Sequence, residues 1–409
     1  DHPMPETRNA VFQKAFELNR TDLFANMAAA MEWLEHWSDA LDTYPSFDYC
    51  CVFSGSLIYQ RSLVELLKAT CTRVLIMETT FTGNDIYCEE RYAPIANHSD
   101  IRFSSVFNAI DLPEDPAIYE RERNKAINKY LLAQNKNVSQ PDECALLKLN
   151  DEWPTVVILG QVLNDFSLIE TGVSSVNFYK QLISELIRHD LNIVFKAHPW
   201  EEKKSNVIHP LTYSVLTAFT EEMEPRDQAK IHIVDHYPIT ELFSKADYVV
   251  GLNSQSLLES CFYGHKPLQF GRAFFGGKGF THDLARGDVA DAARRMASGA
   301  LHSKLSMNDF RAFERFITRY FQGHLVSVHK SGSQRLRRIF APRSIVSIVE
   351  PTVPRAKTET ARPSVGLDEN GKAPSLVRKL RKLEKDPYAF FRDAQNPVMR
   401  QMKVFFESR

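Results

Sequence analysis

The sequence lacks the features that mark two large classes of protein. No apolar run in its 409 residues reaches the ~18 residues that a membrane-spanning helix needs. Its 50 Lys and Arg residues do not outnumber its 51 Asp and Glu residues. Proteins that bind nucleic acid usually carry a basic excess, so the charge balance argues against a nucleic-acid partner.

Cysteine motifs and targeting signals are missing as well. The six cysteines show no C-x-x-C spacing, and several lie in apolar strand or helix contexts, as buried free thiols do. No N-terminal segment has the pattern of a signal peptide. These features together predict a reducing, cytoplasmic compartment.

Two motifs of cofactor and metal sites are also absent. The chain has no Gly-rich dinucleotide fingerprint and no Asp-x-Asp phrase of the kind that holds a metal on a sugar nucleotide diphosphate. The stretch Gly271–Gly279 is rich in glycine but has no Gly-Lys-Ser/Thr phrase, so it is not a P-loop. We interpret it as a loop that lines a cleft.

Apolar strands alternate with helical patterns through most of the chain, which predicts an α/β fold with parallel sheets. Strands are predicted at 49–53, 73–77, 155–159, 191–195, 230–234, 247–251 and 266–270. The series restarts after a polar stretch, so two Rossmann-like, doubly wound halves that face a cleft are expected. By analogy of fold alone, this is the GT-B architecture found among glycosyltransferases.

The predicted boundaries are an N-terminal Rossmann-like domain at 1–150, a second at 151–340, a linker at 341–375 and a helical tail at 376–409. Within the linker, residues 351–375 hold four prolines, two glycines and no aromatic residue. The tail combines an apolar stripe with many lysines and arginines. It either lies on an anionic membrane surface or packs on the body of the protein.

The phrase Lys196–Pro199 (Lys-Ala-His-Pro) directly follows a predicted strand. At that position the ring N–H of His198 can bind a phosphate or a sugar oxygen, and Pro199 fixes φ and turns the chain out of the strand. The alternative is a turn proline beside a partly buried histidine. Lys196 either neutralises an anionic group or is simply solvated.

The phrase Asn253–Ser256 (Asn-Ser-Gln-Ser) follows the strand at 247–251 and opens a helix. Its hydroxyls and free N–H groups suit a phosphate, although an ordinary helix cap has the same pattern. Ligands of open α/β sheets bind at the carboxyl ends of strands, where both phrases lie. Glu259, one turn into the helix, either binds a ribose or is an inert helical residue.

Three further polar residues follow strands in the same half. Gln161 and Asp165 come after the strand at 155–159, and Asp235 ends the strand at 230–234. From spacing alone, Asp235 is as compatible with a cap on the next helix as with a catalytic role. Asp165 is equally compatible with a solvated loop carboxylate.

Four phrases together resemble the β-Kdo transferases of capsule and O-antigen biosynthesis, including the Kdo-transferase modules of O-antigen polymerases. They are Gly160-Gln161-x-x-x-Asp165, Lys196-Ala197-His198-Pro199, Asp235-His236-Tyr237-Pro238 and Asn253-Ser254-Gln255-Ser256. The resemblance covers about 150–270 with specific motifs. It implies transfer of the acidic sugar Kdo from CMP-β-Kdo to a lipid-linked surface glycan, with retention of configuration and without a metal or other cofactor.

The same resemblance assigns roles to the predicted residues. Asp235 becomes the carboxylate nucleophile of a double displacement, with Asp165 and His198 as the other catalytic residues. The expected substrate-binding residues are Gln161, Lys196, Pro199, Asn253, Ser254, Gln255, Ser256 and Glu259. The first half becomes the acceptor domain and the second the donor domain. The expected partners include further glycosyltransferase domains in the same polypeptide. Peripheral contact with the inner membrane face is also expected.

Two other functions remain compatible with these residues. One is transfer of another CMP-linked nonulosonate, as in sialyltransferases. The other is a non-catalytic nucleotide- or glycan-binding domain, in which Asp235 and His198 are structural.

Overall fold

A computed structural model of the chain describes residues 19–44, 47–95, 97–131, 146–163, 165–171, 174–201, 211–329 and 332–340, with isolated positions outside these ranges. The predicted linker lies outside the described residues, and so does nearly all of the predicted tail. Among the described helices, none has the length and apolar character that crossing a membrane requires.

The chain divides into two compact units. The first comprises residues 47–339 with 1–4, and the second comprises 5–46 with 340–409. Helix α1, Arg20–Thr43, belongs to the second unit and begins where the side chain of Asn19 accepts the N–H of Asp22 at 3.1 Å. The predicted domain at 1–150 therefore combines residues of both units. Its hydropathy pattern carries no signal for this division.

The first unit contains ten strands in the described residues. They are β1 (Tyr49–Phe53), β2 (Arg73–Thr79), β3 (Asp85–Glu90), β4 (Thr155–Leu159), β5 (Asn192–Lys196), β6 (Ile231–Val234), β7 (Tyr248–Gly251), β8 (Leu268–Gln269), β9 (His282–Asp283) and β10 (Val326–Ser327).

Among its described residues, the first unit also contains eleven α-helices. They are α2 (Ile58–Leu67), α3 (Ser104–Asn108), α4 (Pro116–Leu131), α5 (Ser175–Leu186), α6 (Thr212–Glu221), α7 (Pro225–Gln228), α8 (Ile239–Lys245), α9 (Gln255–Ser260), α10 (Val289–Ala297), α11 (Met307–Thr318) and α12 (Ser333–Ile339).

The larger sheet is parallel throughout and has the order β6-β5-β4-β7-β8-β9. Counted along the chain from β4, this is 3-2-1-4-5-6, the Rossmann order, in which the direction of winding reverses between β4 and β7. β4, β5 and β7 are buried along their whole length, and this is why they read as continuous apolar runs in the sequence. The predicted α/β fold with Rossmann-like domains is confirmed.

The smaller sheet has the order β1-β2-β3-β10. β1 and β2 are parallel, as predicted, whereas β3 pairs antiparallel with both β2 and β10. β10 follows the whole second half in sequence but pairs Val326 with Ile86 of β3, and α11 packs against α4. The predicted domain at 151–340 thus includes a strand of the smaller sheet. β10 has only two residues, and its hydropathy pattern is too short to indicate which distant strand it pairs with.

Within the first unit, aromatic contacts and a lysine hydrogen bond join the region around the smaller sheet to the region around the larger sheet. The ring of Tyr130, in α4, stacks on Phe262, just after α9, with centroids 3.6 Å apart. The hydroxyls of Tyr87, in β3, and Tyr320 lie 2.6 Å apart. Lys278 donates to the carbonyl of Arg102 at 3.0 Å. The glycine-rich stretch 271–279 is therefore tied to the first half.

A buried ionic cluster connects β3 to the π-helix Arg319–His324. The carboxylate of Glu89 lies 2.9 Å from Nε2 of His324 and 3.0 Å from Nη1 of Arg91, and it accepts the hydroxyl of Ser99 at 2.5 Å. Burial by itself raises the pKa of this carboxyl, but the contacts with His324, Ser99 and Arg91 outweigh burial and the pKa is lowered. The cluster is enclosed, so we interpret it as structural.

Candidate functional site

The four predicted phrases begin at one edge of the larger sheet. Leu159 at the end of β4 pairs in register with Lys196 of β5 and with Gly251 of β7, and Lys196 pairs with Val234 of β6. Neighbouring strands lie ~4.8 Å apart, so the four strand ends from β6 to β7 span roughly 14 Å. That span suits an extended ligand with a nucleotide at one end and a sugar at the other.

The winding direction of the larger sheet reverses between β4 and β7, and at this point Gln161 and Asn253 are joined by hydrogen bonds. Nε2 of Gln161 donates to Oδ1 of Asn253 at 2.6 Å, and the backbone N–H of Asn253 donates to Oε1 of Gln161 at 3.1 Å. Asn253 also donates to the carbonyl of Ser167 at 2.8 Å. Both amides are buried, with 4% and 0% of the residue exposed. These bonds join the loop after β4 to the loop after β7, and direct contact of the two amides with substrate stays a prediction.

The turn that opens α9 lies directly beside this amide pair. The hydroxyl of Ser254 accepts the N–H of Ser256 at 3.3 Å, so Ser254 is the N-cap of the helix. Ser254, Gln255 and Ser256 are all partly exposed at the sheet edge. A Cβ at Gly271 would lie 2.7 Å from the carbonyl carbon of Leu252, so only glycine lets the next loop approach this turn.

His198 is oriented by the turn that Pro199 begins. Its Nδ1 accepts the backbone N–H of Trp200 at 3.1 Å. A neutral ring that accepts at Nδ1 carries its proton on Nε2, so this hydrogen bond assigns the tautomer that donates from Nε2. His198 and Pro199 are both partly exposed, and the ring therefore has a defined donor at the carboxyl end of β5.

Lys196 is buried, with 4% of the residue exposed, and is not the solvated lysine of the alternative interpretation. Its ammonium donates to the carbonyl of Ala197 at 3.0 Å and to the carbonyl of Asp235. The lysine thus ties the end of β5 to the end of β6 and fixes the backbone at Asp235. Whether its charge also acts on a bound anion stays a prediction.

Asp235 does not cap the helix that follows it. α8 begins at Ile239 with Pro238 as its N-cap, and none of the described side chains caps it. Oδ1 of Asp235 accepts the N–H of His236 at 2.6 Å, and 38% of the aspartate side chain is exposed. An accessible carboxylate on a backbone held by Lys196 is the arrangement that a nucleophile needs.

Asp165 and Glu201 organise the loop after β4. Oδ1 of Asp165 accepts the N–H of Ser167 at 2.9 Å, so this carboxylate starts a short 3-10 helix. The buried carboxylate of Glu201 accepts the N–H of Leu163 at 3.1 Å and the hydroxyl of Thr212 at 2.6 Å. Burial raises the pKa of Glu201. The sequence analysis missed Glu201, although it lies three residues after His198.

Glu259 lies in the last turn of α9. Its charge acts on the hydroxyls of Tyr130 and Tyr263. Although part of the residue reaches solvent, burial raises the pKa of Glu259 to about 7. Binding of a ribose by its carboxyl stays a prediction.

Replacing Glu259 is expected to change how stability depends on pH. An unfolded glutamate titrates near 4.5, so the folded protein holds this proton more tightly and loses stability as pH rises from about 4.5 through about 7. Glu259→Gln should therefore be more stable than the wild type at about pH 8, with little difference at about pH 4.5. Denaturant unfolding at both pH values measures this.

The exposed Glu241→Gln is the matched control, and it should leave the pH dependence of stability unchanged. If the stability of Glu259→Gln follows that of the wild type between these pH values, the raised pKa of Glu259 is wrong.

Arg272 is a candidate that the sequence analysis did not single out. It is exposed, has a φ of +53°, and forms no hydrogen bond or ion pair with any residue that the structure describes. A left-handed backbone at a non-glycine residue is strained, and such strain concentrates at functional sites. The N–H of the adjoining Gly271 donates to the carbonyl of Leu252 at 2.9 Å, so the backbone of Arg272 lies near the turn before α9. Its only signal in the sequence is an arginine directly after a strand-end glycine.

No cluster of three or more His, Cys, Asp or Glu side chains that could hold a metal ion occurs among the described residues. The expectation that the reaction needs no metal or other cofactor stays a prediction.

Comparison with known proteins identifies one family. The family model described as capsule polysaccharide biosynthesis protein matches residues 85–309, which is more than half of the 409 residues. The matched segment runs from the start of β3 into α11 and includes all four phrases of the sheet edge. No curated protein matches the chain in sequence.

Among solved structures, the chain is similar to two transferase domains of KpsC from Thermosulfurimonas dismutans. The β-Kdo 2,4-transferase is 13% identical, with 66% of this chain and 78% of that chain covered at a TM-score of 0.44. The β-Kdo 2,7-transferase is 16% identical, with 72% and 83% covered at a TM-score of 0.40. The glycosyltransferase SnogD from Streptomyces nogalater is 11% identical, with 79% and 82% covered at 0.28. These distant likenesses carry no conclusion about activity.

Proposed function

The chain belongs to the capsule polysaccharide biosynthesis family, and from this premise we propose that it is a retaining glycosyltransferase that moves Kdo from CMP-β-Kdo to a surface glycan. The observation that carries the proposal is Asp235. Its carboxylate is accessible, caps no helix, and lies on a backbone fixed by Lys196, on the strand next to that of His198. The four phrases that resemble β-Kdo transferases support the choice of donor.

In the first step, CMP-β-Kdo lies along the sheet edge, with its CMP part at the turn before α9 and its single phosphate beside His198 at the end of β5, one strand from Asp235. The carboxylate of Asp235 attacks the anomeric carbon as the bond from that carbon to the phosphate oxygen breaks. CMP leaves with the bonding electrons, and an ester joins Kdo to Asp235. The Nε2–H of His198 stabilises the charge that develops on the phosphate.

In the second step, a hydroxyl of the acceptor attacks the same carbon from the face that CMP left. The ester bond breaks, the Asp235 carboxylate is restored, and the hydroxyl proton passes to a base. We assign that proton transfer, or orientation of the sugar hydroxyls, to Asp165 at the end of β4. Two inversions give net retention, so the product is β-linked.

Incubation of the protein with CMP-β-Kdo and glycan acceptors that end in rhamnose or N-acetylglucosamine tests this proposal. Release of CMP and a β-linked Kdo product, identified by NMR, are the expected results. An α-linked product would remove the claim of retention. Competition between CMP-Kdo and CMP-sialic acid distinguishes the proposed donor from another CMP-linked nonulosonate.

The proposed partners follow from the same reaction. A lipid-linked glycan is the acceptor, and further glycosyltransferase domains of one polypeptide would extend or prime the same glycan. Such an acceptor would bring the protein to the inner membrane face, where the basic tail would meet anionic lipid.

A further inference from the structure

Arg335, in α12, has a buried donor, Nε, that no described residue accepts. Its Nε is enclosed by protein, yet it forms no hydrogen bond with any residue that the structure describes. A buried guanidinium N–H without an acceptor is unfavourable, because its lost hydration is not replaced. Because Nε is enclosed, a ligand would contact this guanidinium through its Nη atoms, which are not among the buried unpartnered atoms.

Arg335 lies in the wall of two cavities. The larger has a volume of ≈560 Å³ and is lined by residues of β3, α4 and β10, and the smaller has a volume of ≈280 Å³. Gln322, in the π-helix, lines both cavities as well. Sites for small molecules commonly have volumes of roughly 300–1,000 Å³, so the larger cavity can hold a small sugar.

The two lysines on the wall of the larger cavity already have carboxylate partners. The ammonium of Lys129 lies 2.6 Å from Oδ1 of Asp85, which is 2% exposed, and that of Lys125 lies 2.8 Å from Oε1 of Glu122. Burial, together with the nearby positive charge of Arg338, lowers the pKa of Arg335. The surroundings of Arg335 thus disfavour its positive charge, and a bound anion would compensate that charge.

Three side-chain amides line the same cavity. They belong to Asn84, Asn128 and Gln322, and none of them bonds to a residue within the described ranges. An amide offers both a donor and an acceptor, which matches the hydroxyl groups of a sugar. A lone inorganic anion would leave these amides unused.

We propose that this cavity binds an acidic sugar, with the carboxylate on the guanidinium of Arg335 and the hydroxyls on the amides of Asn84, Asn128 and Gln322. The site lies beside the smaller sheet and shares no residue with the predicted donor edge of the larger sheet. It therefore stands whether or not the chain transfers Kdo.

Glucuronate and glucose form a matched pair of probes, because they differ only at C6, where glucuronate has a carboxylate and glucose a hydroxymethyl group. Calorimetric titration of the full chain, with and without saturating CMP, should show glucuronate binding at least ~10-fold more tightly than glucose or inorganic phosphate. Arg335→Leu should abolish that preference. Asn128→Ala should weaken glucuronate but leave phosphate unchanged. Arg337→Ala, on the same helix but outside both cavities, should behave as the wild type.

Equal binding of glucose and glucuronate by the wild type would overturn the proposal, and so would tighter binding of phosphate alone. Unchanged glucuronate affinity in Arg335→Leu, or an equal loss in Arg337→Ala, would also overturn it. If Arg335→Leu does not fold, Arg335→Lys and Asn128→Ala decide. Both should weaken glucuronate severalfold, and wild-type affinity in either of them contradicts the assignment. Displacement of glucuronate by CMP would place the sugar at the donor edge instead.

Discussion

Asp235→Asn is expected to reduce transfer of Kdo from CMP-β-Kdo by roughly 10⁴-fold or more. An amide keeps the size of the side chain and can still accept the N–H of His236, but it is a poor nucleophile and forms no ester. Mass spectrometry of the wild-type protein with CMP-β-Kdo and no acceptor should show an increase by one Kdo residue. Peptide mapping should place that increase on Asp235, and the variant should lack it.

Asp190→Asn is the matched control for Asp235→Asn. Asp190 is also a surface aspartate of the second half, with 78% of its side chain exposed, but it precedes β5 at the opposite end of the sheet. Its variant should transfer at the wild-type rate. Transfer by Asp235→Asn at more than a tenth of the wild-type rate, or an adduct on a different residue, would contradict double displacement through Asp235.

His198→Ala is expected to lower the rate of transfer by roughly 10²- to 10³-fold, because it removes the donor that we propose stabilises the phosphate of the leaving group. The loss should appear in kcat more than in KM, since the charge on that phosphate grows only as the bond breaks. Steady-state kinetics of CMP release measures both constants. His198→Gln, which keeps a side-chain N–H, should recover part of the rate.

The exposed His302→Ala is the control, and its rate should match that of the wild type. If His198→Ala keeps wild-type turnover, His198 is structural and the non-catalytic interpretation of the phrase Lys196–Pro199 gains support. Folding of each variant can be compared by circular dichroism, so that a loss of rate is not confused with unfolding.

Several strands were predictable because each is a continuous apolar run with a turn on both sides. β1, β4, β5 and β7 were located from that pattern alone. β3 and β10 were not, since β3 alternates weakly and β10 has only two residues. β10 joins the smaller sheet by pairing with β3, which lies more than two hundred residues earlier in the chain. Hydropathy carries no information about so distant a partner.

The sequence by itself determined which polar residues lie at the sheet edge. Parallel strands end at the same edge, so Gln161, His198, Asp235 and Ser254 had to come together once their strands were located. Only the tertiary structure decided what each side chain does there. It pairs Gln161 with Asn253, places the ammonium of Lys196 on the carbonyl of Asp235, and leaves the Asp235 carboxylate accessible.

The same distinction applies to the charged groups whose surroundings come from distant parts of the chain. Burial near Tyr130 raises the pKa of Glu259, and enclosure of Arg335 leaves its Nε without a partner among the described residues. Hydrogen bonding and desolvation depend on neighbours within a few ångströms, and those neighbours are set by packing. Strand periodicity is a local property of the chain, and for this reason it could be read from the sequence alone.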